Sequence, residues 1–325
     1  MTALNWALLS TARINGALIP PLKASERNVL YGVASRDQTK ADAFAALNGI
    51  PKAYGTYEAM LADPDVQVVY VPLPNHLHAE WSIRALQAGK HVLCEKPLAI
   101  TLGEVDAMIT AAQATGRVLM EAFMYRHHAQ TLKVQELVQS GALGELRLIK
   151  GAFSFNLKND GDVRLVRAYG GGSLWDVGCY PVSYCRTLAG APVAEVYGQK
   201  VAGRDGVDEI FTGELRFANG VVAQFDSGFA LPGRWYMEIV GSEGTLSIPE
   251  PYKPGINNRV TLTREGGSEI VEIPGGELYA GEVENMADAI LTGAATRVSL
   301  ADSRANVATL LGLYRSADVG APVVL

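Results

Sequence analysis

The chain carries only three cysteines, Cys94, Cys179 and Cys185, among 325 residues. They are too few and too scattered for a disulfide framework or a zinc knuckle. Basic charge is not in excess: 28 Lys and Arg stand against 34 Asp and Glu. A general nucleic-acid binder normally shows a basic face, so this balance argues against one. No apolar run approaches the length of a membrane span. The opening MTALNWALLS has neither a basic region nor a cleavage-site pattern, so no signal peptide and a reduced, cytoplasmic setting are expected. The five histidines, His76, His78, His91, His127 and His128, lack H-E-x-x-H spacing, so no metal is expected.

Core material is ample, with 48% hydrophobic and 19% charged residues, and the length suits two domains. The first third alternates two periods. Strand patterns at Asn5 to Leu9, Asn28 to Ala34, Val66 to Val71, His91 to Cys94 and Arg117 to Glu121 alternate with helical patterns at Thr39 to Leu47, Leu77 to Ala88 and Gly103 to Thr115. This βαβα rhythm predicts a parallel, doubly wound sheet with right-handed crossovers. After about residue 122 the rhythm changes. A helix is expected over Thr131 to Val138. Strands are expected at Glu145 to Phe155, Ala194 to Val201, Glu209 to Phe217, Val221 to Phe229, Trp235 to Val240, Thr245 to Ile248 and Val260 to Thr263. Asn219-Gly220 is a hairpin signal, and helices at Leu278 to Leu291 and Ala301 to Tyr314 close the chain. The expectation is an α/β N-terminal domain over 1–122 and an α+β domain over 123–325 with a large open, mostly antiparallel sheet.

Glycine is missing where it would matter most. Residues 7 to 17 read ALLSTARINGA, a strand running into a turn and then a helix. A dinucleotide-binding loop places G-x-G-x-x-G here, and the three slots hold Ser10, Ala12 and Asn15. Ala12 adds one methyl. Ser10 carries a Cβ that a positive φ disfavours, and a hydroxyl that could donate to phosphate. Asn15 tolerates unusual backbone angles, and Arg13 adds a cation near the helix start. On this stretch alone an ordinary turn remains the alternative. The second strand ends Val33-Ala34-Ser35-Arg36-Asp37, with Lys40 following. An NAD-preferring site usually has an acid there for the ribose hydroxyls. Ser35 and Arg36 suit a 2′-phosphate instead, unless Arg36 and Lys40 are only a solvated charged face.

Cys94-Glu95-Lys96-Pro97 closes another strand, and Gly170-Gly171-Gly172-Ser173-Leu174-Trp175-Asp176-Val177-Gly178-Cys179-Tyr180 comes far downstream. If the glycine run opens a helix, Asp176 and Tyr180 share one face. An ammonium favours phenolate, so Lys96 with Tyr180 would make a workable proton relay for oxidising an alcohol. A helix-start acid and an interface aromatic are the plainer alternative for Asp176 and Tyr180.

In order, the degenerate fingerprint, VPLPNHLH, EKP, EAFMYRHH and GGGSLWDVGCY resemble the glucose–fructose oxidoreductase, inositol dehydrogenase and MocA family over nearly the whole chain. The resemblance implies an N-terminal Rossmann domain and a C-terminal open sheet that often buries a dimer interface. A homodimer or homotetramer through that sheet is therefore expected. It implies NADP as cofactor, with NAD as the alternative. The dinucleotide would be held by Ser10, Thr11, Ala12, Arg13, Ile14, Ser35, Arg36, Lys40, Leu73, Pro74, Asn75, His78, Glu95 and Lys96. Lys96 would contact substrate and nicotinamide ribose, and its bond to Pro97 is often cis in the family. Asp176 matches the family's aspartate. Tyr180, where the inositol branch has histidine, would be the acid/base. Arg126, Arg164 and His78 would line the substrate pocket. The implied function is NADP(H)-dependent hydride transfer on a cyclic sugar or polyol, first an aldopyranose at its anomeric carbon. Alternatives are a ketosugar reductase, a trans-dihydrodiol dehydrogenase, or a non-catalytic dinucleotide-binding regulator.

Overall fold

The computed structural model describes residues 3–159 and 161–325. They form two compact units: the chain up to His127 with Tyr279–Arg304, and His128–Leu278 with Ala305–Leu325.

The first unit is built on six strands. In chain order it runs β1 (Leu4–Leu9), α1 (Asn15–Ala24), β2 (Asn28–Ala34), α2 (Gln38–Asn48), β3 (Lys52–Tyr54), α3 (Tyr57–Ala62), β4 (Val68–Val71), α4 (His78–Gln87), β5 (His91–Glu95), α5 (Leu102–Thr115) and β6 (Leu119–Ala122). The sheet order is β3-β2-β1-β4-β5-β6, with every pairing parallel. This is the doubly wound Rossmann arrangement expected from the alternation. β4 reads VVYV and is buried throughout, as a strand covered on both faces must be. Local sequence sets the helix starts. The Thr101 hydroxyl caps α5 by accepting from the Glu104 amide and donates to the Glu104 carboxylate, which also accepts from the Ile100 amide. Because all strands run the same way, the segments after β1, β2, β4, β5 and β6 emerge at one edge. The order reverses between β1 and β4, where open α/β sheets bind ligands.

The second unit runs α6 (Ala129–Gln139), β7 (Leu146–Asn156), α7 (Cys179–Ala189), β8 (Val193–Ala202), β9 (Asp208–Phe217), β10 (Val222–Gly228), β11 (Ala230–Gly241), β12 (Gly244–Ile248), β13 (Asn257–Arg264) and β14 (Gly267–Pro274). Then come α8 (Ala280–Thr292), α9 (Leu300–Val319) and β15 (Val323–Val324). The nine strands order as β14-β13-β12-β11-β7-β10-β9-β8-β15. Only β7 and β10 pair in parallel, so the sheet is mostly antiparallel, as expected.

Three strands escaped the sequence pattern. β3 is three residues long, β15 is two, and β14 is exposed along most of its length, so none offers a buried run. Residues 279–304 group with the first unit rather than with the sheet that precedes them. There α8 packs on α1, and Arg27 pairs with Glu284 and, at 2.6 Å, with Asp288. Among the described residues, no helix is long and apolar enough to cross a membrane.

Candidate functional site

The first loop has the shape of a fingerprint without its glycines. Ser10 adopts φ 143°, in the region glycine favours. Its Oγ accepts from the Ala12 amide at 3.2 Å, and its carbonyl oxygen accepts from Asn15 Nδ2 at 2.7 Å. Asn15 is fully buried at the start of α1. Among the described residues, the amides of Thr11, Arg13 and Ile14 have no acceptor. No acidic side chain occupies the first turn of α1. The next residue, Gly16, faces open space. Thr11, Ala12, Arg13 and Ile14 all reach the surface.

At the end of β2, Ser35 is buried and its Oγ accepts from the Asp37 amide at 3.3 Å. Asp37, the only acid here, caps α2 by accepting from the Thr39 and Lys40 amides. Arg36 is exposed, and its charge opposes the rise that burial gives the Tyr57 phenol pKa. Lys40 is exposed one turn into α2.

The segments after β4 and β5 are tied to each other by a residue expected on a ligand. His78 is fully buried, with Nε2 2.7 Å from the Leu73 carbonyl oxygen and Nδ1 2.8 Å from the Pro97 carbonyl oxygen. Both ring nitrogens are thus engaged by the protein. Only the imidazolium could satisfy both carbonyls, but burial favours the neutral ring and lowers its pKa. His78 therefore serves as a tie between two loops, and Leu73 is its partner. Pro74 and Asn75 lie between them, where the Leu77 amide donates to the Pro74 carbonyl at 2.8 Å. The Lys96–Pro97 peptide is cis. Lys96 is partly exposed, and the neighbouring Glu95 accepts from the Tyr70 phenol at 2.5 Å and from the Lys96 amide at 3.3 Å.

A group that sequence reasoning did not single out completes this turn. Glu121, the last but one residue of β6, is fully buried, and its Oε1 accepts from the Leu98 amide at 2.8 Å. Burial pushes its carboxyl up to about 7, against the lowering pull of that amide. The clue was a charged residue inside an otherwise apolar strand run. Arg126 follows in a short turn, buried and paired with Asp302 at 2.9 Å. His91 is structural: its Nδ1 accepts from the Val118 amide at 3.0 Å, and burial lowers its pKa to about 4.

The second unit carries Arg164, Asp176 and Tyr180. The glycine run does open a helix, but its first turn, Leu174–Gly178, is a π-helix that leads into α7. Such turns recur at functional sites. Two glycines leave no room for a side chain here: a Cβ on Gly171 would lie 2.4 Å from the Arg164 carbonyl oxygen, and one on Gly172, at φ +125°, 2.2 Å from the side-chain Oδ1 of Asp208. Arg164 Nε donates to Asp176 Oδ2 at 2.7 Å, and Nη1 reaches Asp162 Oδ1 at 3.1 Å. These carboxylates push the Arg164 pKa further up. The arginine is thereby committed to anchoring Asp176. Tyr180 is 6% exposed, with its ring edge-on to Phe153 at 5.3 Å and tilted against Tyr252 at 5.8 Å. Asp208 was not anticipated either. Buried at the start of β9, it accepts from Ser173 Oγ, the Leu174 amide and the Tyr314 phenol at 2.6 to 2.8 Å, and so fixes the start of the π turn.

Two family matches divide the chain as the sheets do. Residues 4–123 match the oxidoreductase family with an NAD-binding Rossmann fold, and residues 131–247 match the GFO/IDH/MocA C-terminal domain. The chain is 38% identical to D-xylose 1-dehydrogenase (NADP(+)) 2 of Haloferax volcanii, over 98% of this chain and 99% of that one. Among solved structures it resembles a 3-ketoreductase from Actinomadura kijaniata in complex with NADP and TDP-benzene. That likeness has a TM-score of 0.92 and 31% identity over 97% of this chain and 98% of that one. An aldose-aldose oxidoreductase from Caulobacter crescentus gives a TM-score of 0.92 at 29% identity, over 99% of this chain and 100% of that one. The fold and these matches define an oxidoreductase with a Rossmann domain. More narrowly, the chain belongs to the GFO/IDH/MocA family.

Proposed function

We propose that the chain transfers hydride between NADP(H) and the hydroxyl-bearing carbon of a cyclic sugar, first of all the anomeric carbon of an aldopyranose. Whole-length identity to a D-xylose 1-dehydrogenase carries this reading.

The residues present suit a dinucleotide. Ser10 holds a glycine-like backbone, the amides of Thr11, Arg13 and Ile14 are uncommitted among the described residues, and α1 brings no acid to its first turn. That combination favours the pyrophosphate, with Ala12 and Arg13 beside it. At the end of β2 the only acid caps a helix, which leaves Ser35, Arg36 and Lys40 for a 2′-phosphate. Leu73, Pro74, Asn75, Glu95 and Lys96 follow β4 and β5 at the same sheet edge and supply the nicotinamide side. His78 supports them through the Leu73 and Pro97 carbonyls.

When bound, NADP+ would supply the acceptor for the hydride leaving the substrate carbon. The chain supplies the rest. Tyr180 as phenolate takes the hydroxyl proton, and the Lys96 ammonium holds the substrate oxygen and favours that phenolate. Asp176, anchored by Arg164, accepts from a second sugar hydroxyl, and Arg126, its charge balanced by Asp302, serves the substrate side as a donor. The ketosugar reductase reading is the same chemistry run backwards. Likeness to the 3-ketoreductase favours it as the second choice. A homodimer or homotetramer through the nine-stranded sheet is part of the proposal, supported by the exposed Trp235 and Tyr236 of β11. So is a cytoplasmic setting.

The test is a panel of aldopyranoses, D-xylose included, with NADP+, following NADPH formation by absorbance. Saturable turnover with an aldopyranose is expected. Turnover only of a ketosugar with NADPH would select the second reading, and none with either would withdraw both.

A further inference from the structure

The phosphate loop poses a problem that its glycines normally solve. A residue in the first slot must enter the region Ser10 occupies, at φ 143°, where a Cβ is disfavoured. Glycine goes there unaided, whereas serine needs to be held. Asn15 does the holding. It sits in the third slot, fully buried, and its Nδ2 reaches back across the turn to the Ser10 carbonyl oxygen at 2.7 Å. Its Oδ1 is buried without a partner among the described residues, so the amide is placed for that one bond. Turning the amide over would set two oxygens against each other.

The bond has a second consequence. A trans peptide places C=O and N–H on opposite sides. Drawing the Ser10 carbonyl towards Asn15 therefore aims the Thr11 N–H the other way, out of the loop. That amide has no acceptor among the described residues. Meanwhile Ser10 Oγ accepts from the Ala12 amide, so its own O–H points away from that amide.

We propose that Asn15 is a positioning residue for dinucleotide binding: its amide holds Ser10 in the glycine-like conformation, and the Ser10–Asn15 pair replaces the missing glycines of the phosphate loop. This rests on the dinucleotide reading above. It makes the two positions interdependent, since a glycine at the first slot needs no such bond.

A double-mutant cycle tests this, read by NADPH fluorescence titration and by the melting temperature of the cofactor-free protein. Asn15→Ala alone is expected to weaken NADPH binding by about tenfold and lower the melting temperature. Ser10→Gly alone keeps or raises the melting temperature, because it removes the disfavoured Cβ. In the Ser10→Gly background, Asn15→Ala should cost less than about threefold in affinity, which is the coupling a merely packed residue would lack. Should Asn15→Ala alone fail to fold, the Ser10→Gly/Asn15→Gly double variant carries the test. It restores two fingerprint glycines and is expected to bind NADPH as tightly as the parent. Equal losses from Asn15→Ala in both backgrounds overturn the pairing. Coupled melting temperatures with unchanged affinities overturn its part in binding. A parent chain that binds neither NADPH nor NADH fails earlier, and removes the dinucleotide reading itself.

Discussion

Tyr180 is held by rings rather than left free in solvent: Phe153 and Tyr252 flank it. Replacing it with phenylalanine keeps that packing and removes only the hydroxyl. Tyr180→Phe is therefore expected to leave NADPH affinity within a few-fold and to lower turnover by about 10² to 10⁴. Steady-state rates beside a binding titration check this, and near-parental turnover would take Tyr180 out of the mechanism. At this scale the sequence was unevenly legible. Ser10 stood out because a glycine was due there, and its φ is the one such a glycine would take. His78 was placed on the ligand from its motif alone. Its two carbonyl partners lie 5 and 19 residues away, and only the fold brings Pro97 there. Glu121 left only its charge inside an apolar run as a clue and Asp208 left none, because the donors they accept, the Leu98 amide for one and Ser173, Leu174 and Tyr314 for the other, are assembled by folding.

The element that carries Asp176 and Tyr180 depends on a backbone that no side chain can enter. At Gly172 a Cβ would lie 2.2 Å from Asp208 Oδ1 and 2.8 Å from the Tyr314 phenol oxygen, and φ is +125°. Gly172→Ala is expected to destabilise the protein by about 2–4 kcal/mol, through clash and backbone strain together. Chemical denaturation measures this, and a loss under about half a kcal/mol would mean that the Asp208 carboxylate can move aside. The glycine run announced a helix start, but not the π turn from Leu174 to Gly178, since spacing does not distinguish π from α over five residues. Elsewhere, elements with strong periodicity were legible and short or exposed ones were not. β4 declared itself by a buried apolar run, while β3 and β14 had none. α1 carries Pro20 and Pro21 and is still a helix, with Leu18, Ile19 and Leu22 buried. Packing there outweighs two prolines that propensity would reject.

For the molecule as a whole, one buried acid ties stability to pH. Glu121 ordinarily titrates at 4.5, and burial raises it to about 7, with Asp302 adding to the rise and Arg126 opposing it. Between those values the folded chain keeps a proton that the unfolded chain has released. Stability therefore falls as pH rises through this window, by on the order of 3 kcal/mol from this group. Melting curves between about pH 5 and pH 7 are expected to decline more steeply for the parent than for Glu121→Gln; parallel curves would mean that Glu121 does not titrate there. The two-sheet architecture was the most legible feature, because hydrophobic period encodes it directly. The return of residues 279–304 to the first unit was not, because it rests on pairings such as Arg27 with Glu284, 257 residues apart.

A loop whose three fingerprint slots hold Ser10, Ala12 and Asn15 is expected still to bind a dinucleotide and to prefer NADP. The most direct measurement titrates the purified protein and its Arg36→Ala variant with NADPH and with NADH, followed by fluorescence. Saturable binding with NADPH preferred is expected, with a loss in the variant of about tenfold or more for NADPH against little for NADH. Equal affinities for both cofactors in the parent, or equal losses in the variant, would contradict the 2′-phosphate assignment. Absence of binding to either would contradict the claim as a whole.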